Sequence, residues 1–136
     1  MDTNKVHYED GKKFQTTRDC VIQTSVFGYN IETDFCKLTT NGMLLVYKRF
    51  CWDGATGCLN TKSTIRGSLA HDVLYKLMRL ELLPRSCQDD ADMTLNKTLK
   101  KDGGFFSRAL AWFVVLAFLG KRNTDPDNKK RELVAP

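Results

Sequence analysis

Three features that often reveal a function are missing from this sequence. The longest apolar run, residues 109–119, has 11 residues, whereas a bilayer span takes about 20. No cysteine pair has the Cys-x-x-Cys spacing of a zinc module. No block of the chain is strongly basic, because the net charge of +5 is spread along it with only weak clusters at Lys121-Arg122 and residues 129–131. These absences argue against a transmembrane protein, a zinc module and a nucleic-acid-binding protein.

A disulfide framework and a secretory signal are also missing. The cysteines are odd in number and scattered, at positions 20, 36, 51, 58 and 87, so we expect buried free thiols. The first residues, Met1 to Lys5, have no apolar segment behind them, so no signal peptide is expected. These features favour synthesis and folding in a reducing cytoplasm.

The length and composition indicate one soluble domain. With 136 residues, 42% hydrophobic and 27% charged, the chain has enough apolar residues for a single core. We predict that this domain spans residues 1–120. Residues 121–136 are polar and contain two prolines, which predicts a C-terminal tail.

The N-terminal part is rich in residues that favour strands. Residues 14–50 contain many Thr, Val, Ile, Phe and Tyr, which predicts an antiparallel β-meander. Asn41-Gly42 lies between two apolar segments and predicts a hairpin with a type I′ turn. Residues 51–62 have neither a helical nor a strand period, and we interpret them as a loop.

Two amphipathic helices are predicted after this loop, at about residues 64–83 and 87–102. In the first helix, the apolar residues Ile65, Leu69, Val73 and Leu77 recur every four residues. Ser63 or Thr64 is its predicted N-cap, and Pro84 is predicted to end it. Ser86 is the predicted cap of the second helix, and Gly103-Gly104 its stop. The short connection predicts an antiparallel pair.

A third helix, at residues 105–119, is predicted to be apolar on all sides. Such a helix is usually buried in its own domain or against a partner, so packing is favoured over attachment to a membrane surface. The predicted fold class is therefore α+β: an N-terminal antiparallel β-meander, an antiparallel helix pair and a third apolar helix.

The candidate site lies on the helix pair. His71 and Tyr75 are four residues apart and should share one face of the first helix, with Asp72 beside them. Asp92 falls on the apolar side of the second helix, where a carboxylate needs a partner. In an antiparallel pair, His71 and Tyr75 are its natural partners.

This constellation has two interpretations. In the first, a His–carboxylate hydrogen bond orients the imidazole and raises its basicity, as in hydrolytic dyads. His71 would then be the base, and Asp92 and Tyr75 would be the groups that orient it. Alternatively, the same side chains satisfy one another and hold two helices together without any reaction. From the residues alone we favour the structural interpretation.

Several motifs resemble a bacteriophage and prophage family known as domain of unknown function 1353. They are Trp52-Asp53-Gly54-Ala55, the His71-Asp72-x-Leu74-Tyr75 helix, and Asp90-Ala91-Asp92, and the resemblance covers about residues 42–120. It implies a phage or prophage origin, often a place among virion or tail genes, and no established reaction. We therefore expect a virion accessory or structural protein of the tail or baseplate, whose partners are other virion proteins or a second copy through residues 105–119.

The site alone also resembles the catalytic helices of secreted A2-type phospholipases. That resemblance implies a hydrolase of lipid or cell-wall substrates with His71 as the base, Tyr75 and Asp92 as orienting groups, and Asp72 as a calcium ligand. Asp53 would be a second metal ligand. Calcium takes six to eight oxygens, largely from a glycine-rich loop in those enzymes, and residues 53–62 lack that loop. This absence places a structural role ahead of catalysis.

Overall fold

The computed structural model describes residues 5–9, 14–52 and 62–102. The predicted third helix at 105–119, the Gly103-Gly104 stop, the tail and residues 53–61 of the predicted loop lie outside this range. The prediction of a loop over 51–62 is wrong at both ends, because Cys51–Trp52 form a strand and Lys62 begins the first helix. Among the described residues, no helix combines the length and apolarity that crossing a membrane requires.

Within this described part of the chain, antiparallel β structure comes first and two helices follow, which confirms the α+β class. The strands form two sheets, with orders β1-β2-β7 and β3-β6-β5-β4. Strands β4 to β6 follow one another as a meander, and β3 joins this sheet by pairing with β6. The strands are β1 (Tyr8–Glu9), β2 (Phe14–Thr16), β3 (Cys20–Gln23), β4 (Ile31–Glu32), β5 (Cys36–Leu38), β6 (Met43–Val46) and β7 (Cys51–Trp52).

The larger sheet faces the core with every second residue, as the period of a strand requires. Its register places buried side chains next to one another across three strands, in one row of Ile22, Leu44 and Leu38 and another of Cys20, Val46 and Cys36. These rows form one hydrophobic core with residues of the first helix, among them Leu69, Val73 and Leu77. Burial of the sheet face thus fixes where the first helix lies.

The predicted hairpin is present, but its turn is of another type. Strands β5 and β6 pair, and Gly42 has φ +84°. Asn41 is not in the left-handed region, which a type I′ turn would require. Instead Thr39 N donates to Met43 O at 3.0 Å and Gly42 N to Thr39 O at 3.0 Å, which closes a longer loop over residues 39–42.

The first helix, α1 (Lys62–Arg79), ends earlier than Pro84 predicted. Leu82 N donates to Leu77 O at 2.9 Å and Glu81 N to Met78 O at 3.0 Å. This is the hydrogen-bond pattern of a Schellman C-cap. Glu81 takes the left-handed position, with φ 61°, that glycine usually fills.

The second helix, α2 (Gln88–Lys101), follows a 3-10 turn at Arg85–Cys87. Ser86 lies inside that turn and does not cap α2, whose N-cap position is Cys87 without a side-chain hydrogen bond. The predicted acidic first turn, Asp89 and Asp90, is present. A Cβ on Gly67 of α1 would lie 3.0 Å from Leu95 Cδ1 of α2, so this glycine permits the close approach of the two helices.

Candidate functional site

The helix pair brings His71, Tyr75 and Asp92 together as the sequence predicted. His71 Nε2 lies 2.7 Å from Asp92 Oδ1, and the Tyr75 hydroxyl donates to the same oxygen at 2.6 Å. The one-turn spacing of His71 and Tyr75 also stacks their rings, with centroids 3.9 Å apart. We refer to these three residues as the Asp92 network.

The Asp92 network is buried. The exposed fractions are 5% for His71, 3% for Tyr75 and 0% for Asp92. A reaction centre must admit its substrate, and these side chains contact one another instead. The two hydrogen bonds join α1 to α2 through a single carboxylate oxygen, and in this conformation the network is a packing contact.

The network also fixes the protonation of His71. Because a carboxylate only accepts hydrogen bonds, Nε2 carries a proton and donates it to Asp92. Burial alone would lower the pKa of His71, but the carboxylates of Asp72 and Asp92 offset that effect, and the pKa is raised above its usual 6.5. Asp72 Oδ1 lies 3.9 Å from Nδ1, beyond hydrogen-bond distance, so Asp72 acts through its charge.

Tyr75 stays protonated throughout the neutral range. Burial, the hydrogen bond to Asp92 and the negative charge of Asp92 all raise the pKa of its hydroxyl far above the usual value of 10. The hydroxyl is therefore a permanent donor to Asp92.

The second oxygen of Asp92 has a different environment. Within the described residues, Asp92 Oδ2 is buried without a hydrogen-bond partner, and the same holds for Oδ1 of Asn96, one turn further along α2. A buried acceptor without a donor is destabilising by about 1–3 kcal/mol. Asp92 therefore depends on His71 and Tyr75 for its stabilisation, and the loss of either leaves the carboxylate poorly compensated.

Of the predicted metal ligands, Asp72 lies at the edge of the network and Asp53 is outside the described range. The Asp72 side chain is 36% exposed. In the described part of the chain, no group of three or more His, Cys, Asp or Glu side chains is placed to hold a metal ion. Asp72 supplies at most two of the six to eight oxygens that calcium takes, and the predicted calcium site stays a prediction.

Sequence reasoning missed a second polar contact between the helices. Arg66 of α1 forms a two-pronged ion pair with Asp102 after α2, with Nε to Oδ2 at 3.0 Å and Nη2 to Oδ1 at 2.8 Å. Its position gave a signal, because Arg66 precedes Leu69, Ala70 and Val73 at three, four and seven residues, the spacing of the buried stripe. A charge at such a position needs a partner.

The two contacts together define the direction of the helices. Arg66 near the start of α1 meets Asp102 at the end of α2, whereas Tyr75 near the end of α1 meets Asp92 near the start of α2. The predicted antiparallel pair is thus observed.

Comparisons with known proteins do not add to this description of the site. No family model, no curated protein and no solved structure matches the chain.

Proposed function

We propose that the protein is a phage or prophage accessory or structural protein of the virion, at the tail or baseplate, which acts through protein contacts. The origin and location rest on the motif residues that resemble the phage family, above all His71, Asp72, Tyr75 and Asp92. The mode of action rests on the geometry of those same residues.

One observation carries the proposal: the Asp92 network is buried and its donors are used internally. His71 Nε2 and the Tyr75 hydroxyl both donate to Asp92 Oδ1, and all three residues are at most 5% exposed. The raised pKa of His71 adds to this argument. A general base must be unprotonated, and a higher pKa increases the protonated fraction near neutral pH.

Exposed apolar side chains at the end of α1 support a role in protein contacts. Leu80 and Leu82 are 36% and 48% exposed, and they flank Glu81 in the Schellman cap. The cap's hydrogen bonds to Leu77 and Met78 order the backbone there. An ordered surface with adjacent exposed leucines suits a protein interface.

Purified particles from a producing host test the proposal. Mass spectrometry of particles banded by density should find the protein in a fixed ratio to the major tail protein. Its absence from particles, with the protein present in the infected-cell lysate, would contradict the proposal. A Leu80→Lys, Leu82→Lys variant should be incorporated less, while Lys48→Ala, in an exposed turn after β6, is the control and should be incorporated as the unchanged protein is.

A second candidate function is supported by the tautomer of His71. Asp92 holds the proton on Nε2, which leaves Nδ1 as the basic nitrogen on the side of the half-exposed Asp72. In a hydrolase, Nδ1 would accept a proton from a water molecule that attacks an ester carbonyl.

Activity against phospholipid vesicles and cell-wall fragments separates the two candidates. A hydrolase should lose activity in His71→Asn while its unfolding midpoint shows that it remains folded. Its rate should also rise with pH through the raised pKa of His71. Activity that persists in folded His71→Asn would rule out the dyad, and absence of activity in the unchanged protein would favour the structural role.

A further inference from the structure

A cavity of about 540 Å³ lies between the β3–β6 end of the larger sheet and the helix pair. Its lining includes Arg66, Lys97 and Lys101 of the helices, but not His71, Tyr75 or Asp92. The volume falls in the range of roughly 300–1,000 Å³ that is typical of small-molecule sites. The cavity is therefore separate from the Asp92 network and large enough for a ligand.

The cavity carries an excess of positive charge. Asp102 neutralises Arg66 through two hydrogen bonds, which use two of the five N–H groups of a guanidinium. Lys97 and Lys101 are exposed and four residues apart on α2, so they lie on one face of that helix. Among the described residues neither lysine has an ion pair or a hydrogen bond. Two ammonium groups at one cavity attract an anion with several negative charges.

An aromatic ring lies at the same cavity. Phe27 is 61% exposed, although its backbone is held on both sides. Val26 N donates to Thr24 Oγ1 at 3.1 Å, and Gly28 N donates to Thr40 O at 2.9 Å. An exposed ring on an ordered backbone offers a planar surface on which another ring can stack.

Hydrogen bonds connect the wall of the cavity between the lysines and the ring. Ser25 N donates to Thr94 Oγ1 at 2.9 Å, which joins the Phe27 loop to α2. The Thr94 hydroxyl in turn donates to Asp90 O at 2.8 Å, and the Thr98 hydroxyl donates to Thr94 O at 2.7 Å. The loop that carries the ring and the helix that carries the lysines are therefore joined before any ligand arrives, so the backbone at the cavity need not be ordered on binding.

We propose that this cavity binds a nucleoside phosphate. The phosphates contact Lys97, Lys101 and the free edge of Arg66, and the base stacks on Phe27 with the Asn41 carboxamide at its edge. Lysines and arginine recognise phosphate by charge and directed N–H groups, and aromatic rings recognise bases by stacking. A simple anion would explain the lysines but not the ring, and a nucleic-acid strand would need basic residues beyond one cavity.

Calorimetric titration of the full chain at low salt tests the proposal with three probes: ADP, inorganic pyrophosphate and a single-stranded oligothymidylate. ADP should bind at one saturable site. Lys97→Ala combined with Lys101→Ala should weaken ADP binding by about tenfold or more. Phe27→Ala should weaken ADP binding by about tenfold but leave pyrophosphate binding unchanged. Lys48→Ala, an exposed lysine outside the cavity, is the matched control and should bind ADP as the unchanged protein does.

Several results would overturn the proposal. If the binding of ADP does not saturate at millimolar concentrations, the cavity is not a nucleotide site. Equal binding of pyrophosphate and ADP, unaffected by Phe27→Ala, would reduce the cavity to a simple anion site. Binding of oligothymidylate without binding of ADP would mean that this surface binds nucleic acid. If Lys48→Ala weakened ADP binding as much as the loss of Lys97 and Lys101 does, ADP would respond only to the net charge of the protein and not to this cavity.

Discussion

The helix pair carries two polar clusters that differ in how their charges are balanced. In the Asp92 network, one carboxylate receives two donors, and all three side chains are buried. At the cavity, Asp102 balances Arg66, while Lys97 and Lys101 remain exposed without a counter-charge in the described part of the chain. Both clusters depend on the same antiparallel packing of α1 and α2.

This difference separates what stabilises the protein from what is available to a ligand. Polar groups that satisfy one another in the interior contribute to folding and are destabilising when one member is lost. Exposed charges without partners contribute little to folding and remain free to bind. Substitutions in the Asp92 network should therefore lower the stability of the protein, whereas substitutions of Lys97 and Lys101 should weaken ligand binding and leave stability nearly unchanged.

The largest effect is expected for Asp92→Ala, which leaves the His71 and Tyr75 donors buried without their acceptor. Removal of one member of a buried charged pair is destabilising by about 3–5 kcal/mol. Asp89→Ala, on an exposed residue in the first turn of the same helix, is the control and should be destabilising by at most about 1 kcal/mol, the size of its interaction with the helix dipole. Urea unfolding measures both, and similar small losses would mean that the network does not hold the helices together.

An intermediate loss is expected for Asp102→Ala. Arg66, whose side chain is only 8% exposed, then loses both hydrogen bonds to its partner, at a cost of about 2 kcal/mol. The same change frees the guanidinium at the cavity, so ADP should bind more tightly as the protein becomes less stable. Unfolding and titration of one preparation test this, and weaker ADP binding would contradict it.

A smaller effect is expected from pH. Because the pKa of His71 is raised above 6.5 in the folded protein, its contribution to folding is fully present below about pH 6.5 and is lost as pH rises through the folded-state pKa. The free energy of unfolding, measured between about pH 6 and pH 9, should fall more steeply for the unchanged protein than for His71→Asn. Parallel pH profiles would mean that His71 does not titrate with folding.

The smallest effect on stability is expected for Lys97→Ala and Lys101→Ala. Both side chains are exposed, so the free energy of unfolding should change by less than about 0.5 kcal/mol. Thermal unfolding checks this before any binding experiment. A clear loss of stability would mean that these lysines have a structural role, and the contrast between the two clusters would disappear.

Much of this arrangement could be predicted from local patterns. The four-residue repeat of Ile65, Leu69, Val73 and Leu77 predicted α1. The inward position of Asp92 predicted its pairing with His71 and Tyr75. These predictions succeeded because helical periodicity depends on local geometry alone. The end of α1 and the type of the Asn41-Gly42 turn differ from the prediction, because the same residues are compatible with more than one local backbone conformation.

The cavity could not be predicted in the same way. Phe27, Arg66 and Lys97 are distant in sequence and belong to a loop and two helices. Their proximity depends on the packing of the sheet against α1 and on the close approach of the helices at Gly67. An exposed phenylalanine and two surface lysines have no distinctive sequence pattern.

The sequence by itself determined the α+β class, the antiparallel helix pair and the partners of Asp92. The periods of strands and helices are local properties of the chain, and a carboxylate on the apolar side of a helix requires a polar partner on the helix that packs against it. Only the tertiary structure decided that the Asp92 network is closed and that the free charges lie elsewhere. Burial and access depend on how distant segments pack, and no spacing along the chain determines that packing.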